Sequence, residues 1–317
     1  MRITNKMMTE NAIQNMADSR EKVSGLRGKL ATAKQFQVAS EDPGRASTSL
    51  GLRSQLRTIE SYTEVTTSTQ NWMTANDNAF DQLEQIGMRA NNLILRGLTD
   101  TLTGAERFDI GAEMETLVNI AFEIGNTSVN GQYIFSGYQI NQKAFELIDS
   151  PTTLTDYKGS TFTPKVVNYL GDSGSIQRSL GPDQAVTLNV RGDQSILGFV
   201  QNLIEATNAL FQNNIRNTGN PLTDPLTLES SLGEVKSSLD TISQYRASNG
   251  ARMREVDSAA NFLESVKIET KSMLSENEDL NMAEGIALLA NQQTTYEAVL
   301  EVSQRAISAL SLFDYLR

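Results

Sequence analysis

The chain has 317 residues, a formal net charge of -11, and neither cysteine nor histidine. Without thiols or imidazoles, cysteine nucleophiles, histidine general bases and the N/S ligand sets of the common zinc sites are excluded. The acidic balance disfavours nucleic acid and anionic membrane surfaces as partners. With 39% apolar residues and one tryptophan, material for large cores is sparse, and an elongated mainly α protein of several units is expected. No apolar run is long enough to span a bilayer, and "MRITNKMMTENAIQ" lacks the apolar region of a cleavable signal, so export would need another route. The missing cysteines leave the redox compartment open.

In chain order, Met16, Val23, Leu26, Leu30 and Ala33 fit one heptad seam. Ser40-Glu41-Asp42-Pro43 follows. Adjacent carboxylates do not converge, so it reads as a turn that starts a helix rather than a metal or acid/base site. Between about 45 and 98, apolar residues recur at Leu52, Leu56 and Ile59 and at Phe80, Leu83, Ala90 and Ile94, around a threonine-rich middle of lower helix propensity. Thr103 and Glu106 have capping-box spacing ahead of Ile110, Met114, Leu117, Ala121 and Ile124, which predicts a helix. Asn126-Thr127-Ser128 has the form of a glycosylation sequon and reads as a helix end. Asn130-Gly131 is a hairpin turn signal, with Tyr133 and Phe135 alternating against Ile134.

Five of the six prolines lie at 151, 164, 182, 221 and 225. With the strand-like runs "TPKVVNYLG" and "QAVTLNV" they mark about 139–225 as a mostly β insertion, interrupted by one helix, "ILGFVQNLIEATNALFQ". As a surface insertion it is expected to be removable. Arg191-Gly192-Asp193 inside it reads as a plain turn. A helical stripe resumes at Leu232, Val235, Leu239 and Ile242, then at Met253, Val256, Ala260 and Leu263. Arg252 and Arg254 read either as a partner contact or as solvated charges beside Glu255. The acidic "SENEDLN" at 275–281 lacks the glycine and final glutamate of an EF-hand loop and reads as a helix break. The last helix carries a seam at Ile286, Leu289, Tyr296, Leu300, Ile307 and Leu310, interrupted by Gln293 and Ser303. A second apolar face holds Val299, Val302, Ala306, Phe313 and Leu316.

Residues 1–40 carry seven Lys/Arg against three Asp/Glu, and 276–317 carry two against seven, so +4 faces -5. The two ends are expected to pair. A lone two-helix seam is marginal, so the second face implies further subunits. The organisation expected is 1–40 with 276–317 as a terminal helical core, 41–138 with 226–275 as a helical bundle, and 139–225 as a mostly β outer domain.

The opening "MRIT", the "SEDP" turn, "RASNGARM" at 246–253 and the ending "SLFDYLR" resemble the flagellin superfamily. "NGQYIFSGY" at 130–138 resembles its hook-associated protein 3 branch. Glu41 departs from the pattern, since many relatives carry aspartate there. The resemblance implies a non-enzymatic, cofactor-free, metal-free subunit of the flagellum, exported without signal cleavage and forming a ring in the axial structure. It further implies hook-associated protein 1 below, flagellin above, and a cytosolic export chaperone on the C-terminal segment. The assembly contacts expected are Ile3, Met16, Val23, Leu26, Leu30, Ile286, Leu289, Leu300, Ile307, Leu310, Phe313 and Leu316. Flagellin itself is the alternative reading, and a carboxylate-only glycosidase a distant one.

Overall fold

The computed structural model describes residues 5–216 and 227–315, with the side chains of 5, 6, 8 and 306–315 outside the description. Helices α1 (Asn5–Thr32), α2 (Pro43–Gly97) and α3 (Gly104–Gly125) come first. Among the described residues eight short strands follow: β1 (Ser128–Val129), β2 (Gln132–Tyr133), β3 (Phe145–Asp149), β4 (Leu154–Thr155), β5 (Thr161–Phe162), β6 (Lys165–Tyr169), β7 (Gln177–Ser179) and β8 (Ala185–Thr187). Helices α4 (Gly192–Ser195), α5 (Leu197–Gln212), α6 (Leu228–Glu278) and α7 (Met282–Tyr315) complete the chain. The strands form four separate antiparallel pairs, β1-β2, β3-β6, β4-β5 and β7-β8. The expected class, mainly α, with helical terminal segments and a mostly β insertion, is what the structure has.

Several local reasons are visible. Pro43 occupies the first position of α2, and the Asp42 carboxylate accepts the Arg45 amide at 2.9 Å, so "SEDP" is a helix cap. The threonine-rich middle of α2 is helical despite its low propensity, and the hydroxyls of Thr67, Thr69 and Thr74 are satisfied within the helix by carbonyls four residues earlier. Thr103 and Glu106 form the expected capping box on α3. At the other end Asn126 closes α3 and clasps the backbone of Phe145 through both amide atoms, at 3.0 and 2.9 Å. The sequon asparagine is thus committed to the fold.

Contacts divide the chain into two compact units, residues 1–60 with 265–317 and residues 61–264. In the second, α2 and α6 lie antiparallel. Gln70 bonds Asp257, the buried Asn249 amide donates to the Met73 carbonyl at 2.9 Å, and Arg246 reaches Asp77, Asp81 and Glu84. "RASNGARM" therefore supplies the clamp of α6 on α2. Arg107 on α3 is buried and donates to the Gly97 and Thr99 carbonyls, both at 2.8 Å, which satisfies the end of α2.

Among the described residues this unit has a large core and a smaller one, the latter of Met73, Leu180, Val186, Val256 and Ala259. In the larger core the helices and the middle stretch meet. Phe80, Leu83 and Ile94 of α2 and Met114 of α3 meet Phe135, Phe145, Phe199, Leu203 and Leu210. The middle stretch thus contributes whole aromatic side chains to the bundle core, and the expectation that it could be removed is corrected. Ile134 and Phe135 are both buried, so the expected alternation ends where β2 does, at Tyr133. The β1-β2 turn itself is as expected, with Asn130 at φ 51° and Gly131 at φ 79°. Arg191 pairs with Asp193 and precedes the single helical turn α4, in which Gly192 is buried, so the tripeptide read as a plain turn starts a short helix. Among the described residues no helix is long and apolar enough to cross a membrane.

Candidate assembly interface

In the other unit α1 and α7 pack along each other. On α1 the half-buried or buried positions include Ala12, Met16, Ser19, Val23, Leu26 and Leu30, and on α7 they include Gly285, Leu289, Gln292, Tyr296, Val299 and Ser303. Both series step alternately by four and three, the signature of a coiled-coil seam. The seam is antiparallel: Gln292 Nε2 donates to the Ser19 hydroxyl at 3.4 Å, and Lys34 bridges Asp279.

Of the expected contacts, Met16, Val23, Leu26, Leu30, Leu289 and Leu300 are buried or half-buried, and Val23 is the deepest at 7% exposure. Ile286 is instead 58% exposed. Its neighbour Gly285 takes the seam position, because a β-carbon there would stand only 3.0 Å from Leu30 Cδ2. Ala33 is outside the seam too. It terminates α1 with φ 53° and is exposed. Ile3 and the side chains of Ile307, Leu310, Phe313 and Leu316 lie outside the described residues.

Sequence reasoning missed Ser19, Gly285 and Gln292, and read Ser303 as an interruption, since it searched for apolar residues. Ser19 and Ser303 are buried at 6% and 5% exposure. The signal that finds them is the unbroken four-three spacing. Beside the seam runs a groove of about 630 Å³, whose walls include Asn15, Lys22, Thr295 and Val302. Val302, from the second apolar face, is 67% exposed there.

The arm is joined to α2 and α6 by a polar corner. The Glu278 carboxylate is 6% exposed and receives Arg53 Nε and Nη2, both at 2.9 Å, and Lys34 Nζ at 3.1 Å. Arg53 beside it, with help from Lys34, holds this carboxyl below its usual range against the opposing effect of burial. Lys34 likewise holds Asp279 below its usual range. In the other unit Asp77, Asp81 and Glu84 converge on Arg246, while burial, with the neighbouring Glu234, pushes the Glu205 carboxyl above its usual range. Among the described residues no group of three metal-ligating side chains is present.

The bacterial flagellin N-terminal helical region matches residues 3–140. Flagellar hook-associated protein 3 of Escherichia coli K12 is 21% identical over 335 aligned positions, covering 99% of each chain. In sequence this chain is similar to hook-associated protein 3 from end to end. Its counterpart in Salmonella typhimurium LT2 is 22% identical, over 76% of this chain and 82% of that one. In fold, FlgL of Xanthomonas campestris aligns with a TM-score of 0.56 at 16% identity, over 71% of this chain and 99% of the other. FlgL of Bacillus cereus gives 0.52 at 19%, over 71% and 99%. The flagellin-like region therefore sits within a chain whose full-length likeness is to hook-associated protein 3.

Proposed function

We propose that this protein is a structural subunit of the bacterial flagellum that joins the hook, through hook-associated protein 1, to the flagellin filament by packing of its paired terminal helices. The observation that carries the reading is the α1–α7 seam, bordered by a groove and an outward Val302. A two-helix arm with so little apolar burial gains from neighbours. In this account 1–40 with 276–317 form the assembly core, 41–138 with 226–275 the supporting bundle, and 139–225 an outer part that also packs Phe145, Phe199, Leu203 and Leu210 into the bundle's core. Met16, Val23, Leu26, Leu30, Leu289 and Leu300 hold the arm together. Ile286, with Ile3, Ile307, Leu310, Phe313 and Leu316, contacts other subunits of the ring. The chain travels outward without signal cleavage, its C-terminal segment first guarded by a cytosolic chaperone. Its work is mechanical and needs no catalysis, nucleic acid or membrane.

Flagellin is the second reading, favoured by the match over 3–140. Copy number separates the two. Quantitative mass spectrometry of purified flagella should find a ring's worth of this protein per organelle, whereas abundance equal to the filament's main component would establish flagellin.

A further inference from the structure

The tip of the β1–β2 hairpin has no part in the assembly role. Ile134 and Phe135 carry this segment into the core, whereas Asn130 is exposed and Gln132 only half-buried. The tip faces the threonine-rich part of α2, where Glu64, Thr67, Ser68, Asn71 and Trp72 share one helix face by their spacing. Between hairpin and helix lies a cavity of about 390 Å³, with Arg178 of β7 and Leu188 on its remaining wall. All of these residues belong to the unit 61–264.

Two properties of this cavity point to a ligand. Trp72, part of its lining, is only 5% exposed, and its indole N–H has no hydrogen-bond partner in the protein. An unpaired buried donor carries a desolvation cost that a bound oxygen atom would remove. Around it stand polar side chains that the fold does not use. Among the described residues Glu64, Asn71, Asn130, Gln132 and Arg178 make no side-chain hydrogen bond or ion pair, whereas the carboxamides of Asn126 and Asn189 in the same unit are tied to backbone atoms.

The chemistry of the lining selects the class of ligand. Glu64 and Arg178 cancel in charge, which disfavours phosphates, nucleotides and metal ions. The carboxamides of Asn71, Asn130 and Gln132 each donate and accept, as the neighbouring hydroxyls of a sugar do. Trp72, Val129 and Leu188 supply apolar surface for the C–H face of a sugar ring, and the volume falls within the range of small-molecule sites. We propose that this cavity is a binding site for a neutral saccharide, held by Asn71, Asn130 and Gln132 against Trp72. The inference does not depend on the docking of the arm, and its failure would leave the junction reading as it stands.

Trp72 is the single tryptophan, so its indole N–H gives one nitrogen-15 resonance in the labelled full chain. Titration with maltose, cellobiose, lactose and N,N′-diacetylchitobiose should move that resonance saturably for at least one of them, with a dissociation constant of about 1 mM or tighter. Asn71→Ala and, separately, Gln132→Ala replace side chains outside the buried core. Each should weaken that binding about tenfold at unchanged melting temperature. A resonance that stays fixed with all four sugars overturns the proposal. So does a shift that both variants leave unchanged, or a saturable response to leucine or inorganic phosphate that exceeds the response to every sugar.

Discussion

Gln292 donates a hydrogen bond to Ser19 across the α1–α7 seam, at a position where a coiled coil ordinarily carries apolar side chains. A polar pair in such a seam stabilises little but penalises every register that separates it. Replacing both residues with leucine should raise protection of residues 12–30 and 285–303 from hydrogen exchange. It should also lower the yield of a disulfide between cysteines placed at Ala12 and Val299, one heptad further along the same register. Unchanged protection with unchanged yield would show the pair to be incidental.

Arg246 is held by Asp77, Asp81 and Glu84, which follow one another along one face of α2. Arg246→Met leaves three like charges at helical spacing without a counter-ion. Urea unfolding should show a loss of about 1–3 kcal/mol. Part of that loss should be recovered in high salt, where repulsion among the carboxylates is screened.

The Glu278 carboxyl is depressed by Arg53, and Asp279 by Lys34. A carboxyl whose folded pKa lies below its unfolded value contributes stability that is fully present above the unfolded value, about 4.3 for glutamate, and is lost as pH falls through the folded one. Exchange protection of the Gln35 and Leu280 amides should therefore hold near neutrality and fall in acid below about pH 4. In Glu278→Gln protection at neutral pH should already be lower, and its fall in acid shallower. An identical acid profile in both proteins would contradict this assignment.

Deleting residues 142–222 removes Phe145, Phe199, Leu203 and Leu210 from the common core. Each buried aromatic or leucine lost in this way costs about 2–5 kcal/mol, so the remainder should not fold. Circular dichroism of the purified deletion protein should show no cooperative melting.

The helical parts were legible because their apolar residues repeat with the helix period and their ends carry local signals: Asp42-Pro43, the Thr103–Glu106 box, Asn130-Gly131. The seam was legible only at its apolar positions. Ser19, Gly285 and Gln292 carry no hydrophobic signal, and their placement depends on which helix lies opposite. The middle was harder for the same reason. Its strand and helix propensities are local, whereas the burial of Phe145 and α5 against α3 depends on long-range packing that proline and glycine punctuation does not encode.

Residues 307, 310, 313 and 316 carry the proposal that terminal apolar side chains serve assembly. Leu310, Phe313 and Leu316 changed together to serine forfeit roughly 1.5–3 kcal/mol each when fully buried, repeated in every subunit. The monomer's melting should barely change while filaments detach under shear. A monomer destabilised by several kcal/mol with attachment intact would place these residues in an intrachain core.

The central claim, that this protein joins hook to filament, is tested most directly by electron microscopy of cells deleted for its gene. The account predicts hooks that end bare, with flagellin released to the medium, and filaments restored when the intact gene is returned. Normal filaments on the deleted cells would contradict it.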